Sequence, residues 1–329
     1  MGVMNLSDQH GRVATDLRVS LTDRCNLRCQ YCMPAEGLAW LPADETLTDD
    51  ETVRLITIAV ERVGVTDVRF PGGEPLLRRG LPAIVAATTA LGARTAMTSN
   101  GLGLKHTARA LAEAGLDRVN ISLDTTDPEV FHAITRRDRW HDVVAGLEAA
   151  HEAGLGPVKV NAVLLRGHND DEAATLLRWC MERGYQLRFI EQMPLDAQHG
   201  WDREQMITAD EILTSLGREF DLTPLEGRGS APAEKFVVDG GSHTVGVIGS
   251  VTRPFCGDCN RVRLTSDGQI RNCLFARSES DLRTPLRDGA TDAELADRWV
   301  EAVRPKLPGH GIDDPSFLQP TRAMSSIGG

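Results

Sequence analysis

An α/β fold of six consecutive parallel strand–helix units is what the first two-thirds of this 329-residue sequence predicts. Three observations carry it. Short β-prone runs alternate with longer helical stretches. Several helical stretches end on glycine, at 64, 115, 154 and 184, the residue that takes a left-handed C-cap without strain. Polar residues recur at every second position inside the strands, whereas parallel strands covered on both faces read as continuous apolar runs.

Residues 16–22 (DLRVSLT) alternate Leu17, Val19 and Leu21 with Arg18 and Ser20 and form the first strand. A helix starts at Asp49, where Thr48 and Glu51 stand at capping-box spacing, and stops at Gly64. Residues 67–70 are strand, followed by the turn PGGEP at 71–75 and a helix over 77–91. Then come strand 94–99, helix 105–114, strand 117–124, helix 141–153, strand 158–165, helix 170–183 and strand 186–191. Six units are too few for a full eight-fold barrel, and the pattern alone also allows a doubly wound sheet. From Ile207 the character changes: a helix over 209–220, short antiparallel strands over 235–251 around GG and GS turns, a helix near 292–303, and a Pro/Gly-rich tail ending in Gly328 and Gly329.

The polar strand positions form sets. Arg18 and Ser20 share a face, as do Asn120, Ser122 and Asp124; Lys159 and Asn161 share another, and Arg69 and Arg188 stand between apolar neighbours. If these sets face one interior, the sheet encloses a polar chamber holding Arg18, Arg69, Lys159 and Arg188. Four cations there require an anionic occupant, because unpaired buried charge costs several kcal/mol. The alternative is that they sit near strand ends and reach solvent.

Composition is globular, with 41% hydrophobic and 25% charged residues. A net charge of −11 argues against a nucleic-acid coat or an anionic membrane surface as partner. No apolar run approaches the roughly 18 residues of a membrane helix, and the first residues carry no apolar signal core. A cytoplasmic protein is expected.

Six of the seven cysteines fall in two triplets. Cys25, Cys29 and Cys32 follow the first strand, at the strand end where α/β folds place active sites. Three thiolates this close can hold three corners of an iron–sulfur cube and leave one iron open. The competing reading is structural zinc, which takes four closed ligands; no nearby Cys or His completes a set, although His10 or a distant residue could. Cys256, Cys259 and Cys273 (CxxC, thirteen residues, C) fit a zinc-ribbon half as well as a cluster. Cys180, beside Leu176 and Leu177 on a helix, reads as a buried core thiol.

CxxxCxxC with Tyr31 before its last cysteine, followed after the second strand by Gly72–Gly73–Glu74–Pro75, resembles the radical S-adenosylmethionine (SAM) superfamily. The resemblance implies that the open iron chelates SAM and that the GGEP backbone and glutamate meet the SAM amino group. Along the chain, DLRVSLTDRCNLRCQYCMP, GGEPLLRR, NGLGL, NISLDT, VKVNAVLL, LRFIEQMP, FCGDCNRVRLTSDG, CLF and the terminal Gly-Gly resemble the GTP 3′,8-cyclase family of molybdenum cofactor biosynthesis. That resemblance implies a partial (β/α)6 TIM-like barrel over residues 1–206. It also implies a C-terminal region, 207–329, that carries a second iron–sulfur site and a Gly-Gly tail closing the barrel.

The implied chemistry uses two [4Fe–4S] clusters and SAM. The first cluster, on Cys25, Cys29 and Cys32, cleaves SAM; the second, on Cys256, Cys259 and Cys273, binds the guanine of GTP. A 5′-deoxyadenosyl radical takes hydrogen from C3′, the ribose radical attacks C8, and reduction with protonation gives (8S)-3′,8-cyclo-7,8-dihydroguanosine 5′-triphosphate. By matching position, Tyr31, Gly73, Ser122, Arg188 and Met193 contact SAM. Arg18, Arg69, Thr98, Lys159, Arg261, Val262 and Arg263 hold GTP. Arg261, Arg263, Gly328 and Gly329 serve the reaction. A flavodoxin- or ferredoxin-like electron donor and a downstream cyclic pyranopterin monophosphate synthase are the implied partners of a monomer or homodimer. Two departures stand out: Pro71 occupies the expected place of Thr before GGEP, and Ser99 that of a second Thr. Alternative functions are a radical SAM enzyme with an auxiliary cluster acting on a peptide, and a zinc-stabilised binding module.

Overall fold

The computed structural model describes residues 4–328, so Gly329 lies outside the described residues. Strands β1 (Asp16–Val19), β2 (Asp67–Phe70), β3 (Arg94–Ser99), β4 (Arg118–Ser122), β5 (Lys159–Ala162) and β6 (Gln186–Ile190) pair in parallel, each with the next in sequence. Sequential order means that every crossover advances in the same direction. The helices therefore cover one face, and the other face curves into an interior. A doubly wound sheet would reverse direction, so this is a partial (β/α)6 barrel.

Local signals account for most boundaries. Helix α1 (Asp49–Val63) carries the full capping box: Glu51 N–H donates to Thr48 Oγ1 at 3.1 Å and Thr48 N–H to Glu51 at 2.8 Å. It ends on Gly64 at φ 81°. The helix expected over 77–91 is instead a 3₁₀ turn, Pro75–Leu77, and then α2 (Leu81–Ala90). Glu74 caps the turn through Leu76 N–H, and Pro82 begins a new helix rather than continuing one. After α3 (Leu104–Glu113) comes a helix the sequence reading lacked, α4 (Pro128–Thr135), capped by Asp127. Helices α5 (Trp140–Glu152) and α6 (Ala173–Glu182) complete the core units.

The C-terminal third is not a separate layer. After α7 (Ala209–Leu216), strands β7 (Leu222–Leu225), β8 (Glu234–Val238) and β9 (Thr244–Ile248) form the expected antiparallel set. Strand β9 also pairs in parallel with β6. At the opposite edge β10 (Arg261–Leu264) runs parallel to β1 and leads antiparallel to β11 (Gln269–Arg271) and β12 (Ser280–Asp281). The C-terminal chain thus flanks both edges of the six-stranded core. After α8 (Arg283–Arg287), helix α9 (Asp292–Val303) returns to α1, where Arg54 pairs with Asp292 at 2.9 Å.

The strand residues opposite the polar sets form the helix-facing core: Leu17, Val68, Phe70, Val119, Ile121, Val160 and Phe189 are each 0% exposed. Burying such a side chain contributes about 1.5–3 kcal/mol. Cys180 is buried in the same core. Among the described residues no helix is long and apolar enough to cross a membrane.

Candidate active site

Three cavities follow one another along the barrel interior. The first lies at the C-terminal ends of the strands and is lined by Cys25, Cys29 and Cys32 with Tyr31, Gly73, Thr98 and Ser122. The second is lined by Cys256, Cys259 and Cys273 on one side and by Arg18, Arg69, Asn120, Arg188, Arg261 and Arg263 on the other. Thr98 borders both. The third sits at the strand starts, where Lys159, Arg118 and Lys235 line it, and it shares Arg69, Arg188 and Arg261 with the second. The first two are compact, with free volumes of about 130 and 150 Å³, and both open partly to solvent.

The first cysteine loop is held from two sides. The GGEP turn crosses it: Gly73 N–H donates to Thr22 O at 2.9 Å and Glu74 N–H to Arg24 O at 2.7 Å. A Cβ on Gly73 would lie 2.1 Å from Arg24 O, so only glycine allows this approach. From β3, Asn100 donates to Asn26 at 2.7 Å and lies 3.9 Å from Cys25 Sγ. Glu74 differs from the expected SAM contact. It is fully buried, and its oxygens accept from Leu76 N–H, Asn100 N–H (2.7 Å) and the Ser99 hydroxyl (2.8 Å). It ties two loops together, and burial pushes its pKa up to about 7. Ser99, one of the departures, keeps the hydroxyl this tie uses.

Tyr31 donates its hydroxyl to Asp124 at 2.8 Å, and burial pushes Asp124 up to about 6. Of the residues expected at SAM, Tyr31, Gly73 and Ser122 line the first cavity, whereas Arg188 and Met193 line the second. Of those expected at GTP, Arg18, Arg69, Thr98, Arg261 and Arg263 line the second cavity and Lys159 the third. Val262 is the exception: it is 0% exposed, packs in the helix-facing core and lines none of the three cavities. The tail reaches the same place. Arg263 donates to Ile327 O at 3.3 Å and also to Gly328 O. A Cβ on Gly328, at φ 69°, would lie 2.4 Å from Ser20 Oγ and 2.7 Å from Pro71 Cγ. The proline that departs from the expected pattern therefore forms part of the tail's seat.

Cations outnumber carboxylates here. Arg69 pairs with Asp16 at 3.2 Å. Arg188 donates only to Asn161, at 3.0 Å, and burial pushes it down to about 10. Burial, then Arg188 and Arg118, push Lys159 down to about 8. Burial and the neighbouring Arg263 push Arg18 well down. Arg18 Nε, Arg261 Nε and Asn120 Oδ1 are buried without a partner. The two guanidinium donors call for an anionic ligand, and the amide oxygen calls for a hydrogen-bond donor on it.

Each triplet lines one cavity, and all six thiols are free. Yet among the described residues no three His, Cys, Asp or Glu side chains converge closely enough for a single metal ion. Three thiols on the wall of one cavity are the donor set that three corners of an iron–sulfur cube take. Burial pushes Cys32 up to about 12 and Cys29 well up, a cost that ligation to iron removes. At Cys259 burial raises the thiol, but Lys306 and Arg261 bring it below its ordinary value.

Sequence reasoning missed Arg118 and Lys235 in the third cavity, Phe255, Phe275 and His310 in the second, and Lys306 behind the second triplet. Arg118 starts β4 and belongs to the same alternation as Asn120, a signal that was available. The others depend on the C-terminal topology.

A parallel partial barrel with CxxxCxxC after its first strand and a Gly-Gly turn crossing that loop defines a radical SAM enzyme, which uses SAM and a [4Fe–4S] cluster. The radical SAM superfamily profile matches residues 19–180, and one described as Molybdenum Cofactor Synthesis C matches residues 185–312. Among solved structures the chain is similar to SuiB from Streptococcus suis bound to S-adenosylmethionine, with TM-score 0.56, 15% identity and coverage of 88% of this chain and 69% of that one. At that identity the likeness shows the fold alone. A GTP 3′,8-cyclase from Streptomyces coelicolor is 63% identical over 100% of this chain and 97% of its own length. One from Mycobacterium sp. (strain KMS) is 61% identical over 98% and 93%. The chain belongs to the GTP 3′,8-cyclase family, the radical SAM lyases of molybdenum cofactor biosynthesis.

Proposed function

We propose that the chain converts GTP to (8S)-3′,8-cyclo-7,8-dihydroguanosine 5′-triphosphate, using two [4Fe–4S] clusters and SAM. The observation that carries this reading is the serial order of the cavities: one thiol triplet, then a second beside an arginine-lined chamber, then a basic pocket. Residues 1–206 supply the SAM half; residues 207–329 supply the second triplet and the tail.

SAM and the first cluster, when bound, supply a carbon radical able to take hydrogen from C3′ of the ribose. The residues of the chain bind and position. Cys25, Cys29 and Cys32 hold the first cluster, and Tyr31, Gly73, Ser122, Arg188 and Met193 surround SAM. Thr98, at the junction of the cavities, faces the ribose. Phe255 and Phe275 wall the guanine beside Cys256, Cys259 and Cys273. Arg18, Arg69, Lys159, Arg261 and Arg263 offset the triphosphate charge. Arg263 and the Gly328 tail exclude water and hold C3′ and C8 in near-attack geometry. A cytoplasmic location is part of this proposal. A flavodoxin- or ferredoxin-like electron donor and hand-over to a cyclic pyranopterin monophosphate synthase belong to the same proposal. A peptide substrate gains no support, since a chamber where cations outnumber carboxylates suits a polyanionic substrate better.

The test is an anaerobic reaction of reconstituted protein with SAM, GTP and dithionite. 5′-Deoxyadenosine together with the cyclised triphosphate is expected. Deoxyadenosine without GTP consumption rejects the substrate, and neither product rejects the enzyme reading.

Lys159 makes the phosphate assignment measurable. Losing a charge-assisted hydrogen bond, about 1.5–3 kcal/mol, weakens GTP roughly 10- to 100-fold in Lys159→Met. Its folded pKa of about 8 lies below the unfolded value, which is about 10.4. Between them the unfolded chain binds the extra proton, so this group's contribution to stability rises with pH across that window. Below pH 8 the free protein carries an unneutralised cation that bound phosphate relieves. GTP should therefore raise Tm more at pH 7 than at pH 9, and Lys159→Met should flatten the difference. An unchanged pH dependence in the variant rejects the phosphate role.

A further inference from the structure

Lys306 is one of four lysines in the chain and is 3% exposed, three residues beyond α9. A buried ammonium needs strong partners. Its hydrogen bonds all go to one segment: Arg261 O at 2.7 Å, Cys259 O at 3.3 Å and Cys259 Sγ at 3.3 Å. Arg261 Nη1 approaches the same sulfur at 3.8 Å. Arg12 donates to Cys256 O at 2.6 Å. The first triplet has mixed surroundings: Glu74, Asp124 and Asp196 lie near it, and Arg28 donates to Cys25 O at 2.8 Å. Among the described residues, an ammonium on a ligand sulfur is found at the second triplet.

Hydrogen bonds to cluster sulfurs and nearby positive charge favour the reduced, more negative form of an iron–sulfur group. We infer that Lys306 is a positioning residue for the second cysteine site, where its ammonium donates to the Cys259 ligand sulfur and makes the cluster held there easier to reduce and harder to lose. This rests on the two-cluster reading above. It acts through Cys259 and does not line the cavities. The two carbonyl bonds fix the turn from Cys259 into β10, and with it the position of Arg261.

The experiment is a redox titration followed by electron paramagnetic resonance on anaerobically reconstituted full-length wild type, K306M and K306R. SAM serves as marker, since a signal it perturbs belongs to the first site. Wild type should hold about eight irons, as two cubes require, and show two transitions. In K306M the SAM-insensitive transition should move to lower potential while the SAM-sensitive one stays. Iron should leave that site to a chelator roughly tenfold faster. K306R should recover most of both. An unmoved SAM-insensitive transition in fully loaded K306M overturns the inference while the two-cluster reading stands. Wild type with about four irons and one SAM-sensitive transition overturns both. If K306M loads neither site, K306Q keeps a donor without the charge, and the same shift or its absence decides.

Discussion

Cys29→Ala will yield a protein that forms no 5′-deoxyadenosine from SAM and dithionite, yet still binds GTP. Cys29 sits in the middle of the first triplet, its backbone carbonyl accepting from Cys32 N–H at 2.9 Å and Met33 N–H at 3.0 Å. The loop is therefore folded by its own turn, and removing the thiol takes away a ligand without unravelling it. With two thiols left the first cluster loses its anchorage, and iron should fall from about eight to about four per chain. Deoxyadenosine production falls at least about 1000-fold, because the cofactor carries this chemistry. GTP affinity stays within about threefold, since Cys29 lines neither the arginine-lined chamber nor the basic pocket and distant sites act independently. Cys180→Ala is the control: a thiol buried among Leu176 and Leu177 supports packing alone, so cleavage persists. Full cleavage by the Cys29 variant would remove the triplet from the catalytic centre.

Where the sequence was legible, the cause was local. The capping box and Gly64 set the ends of α1 because their hydrogen bonds span three or four residues. The polar alternation identified the inner face because β side chains alternate strictly. The Asp127–Pro128 start of α4 was equally local and simply overlooked. What could not be read was non-local. RVRL at 261–264 reads as a strand edge, but nothing nearby says that it lies beside β1, with Arg18 in register with Arg263. That pairing joins residues far apart in sequence, and it places two arginines on one wall. Lys306 is the same case: a lone lysine after a helix carries no motif, and its role exists only because α9 returns the chain behind Cys259. Glu74 shows the reverse limit. Its motif is legible, but that its carboxylate takes three donors from two loops is not.

Arg263→Ala and Gly328→Ala, two substitutions distant in sequence, should give one phenotype: SAM cleavage that no longer leads to cyclised GTP. Arg263 is 4% exposed and donates to the carbonyls of Ile327 and Gly328 while bordering the arginine-lined chamber. Removing it deletes a cation from the phosphate side and the tether of the tail together. Gly328→Ala leaves the cation but cannot seat the tail, because the added Cβ meets Ser20 and Pro71 and L-residues resist the positive φ. Removing a preorganised donor from a closed site costs about 100- to 1000-fold in turnover, so the cyclised product should fall by that much in either variant. Deoxyadenosine should fall less than the cyclised product, since neither residue itself lines the first cavity, which the tail reaches through Met324 and Ser325. Arg263→Lys separates the two duties. A lysine restores charge, but its ammonium ends one atom short of the guanidinium nitrogen that donates to both carbonyls, so GTP affinity should recover while coupling does not. The ratio of cyclised nucleotide to deoxyadenosine, measured in single-turnover anaerobic reactions, reads coupling directly. A ratio unchanged from wild type in Gly328→Ala would mean that the tail merely rests against Arg263, and the water-exclusion role would then fall to the barrel walls alone.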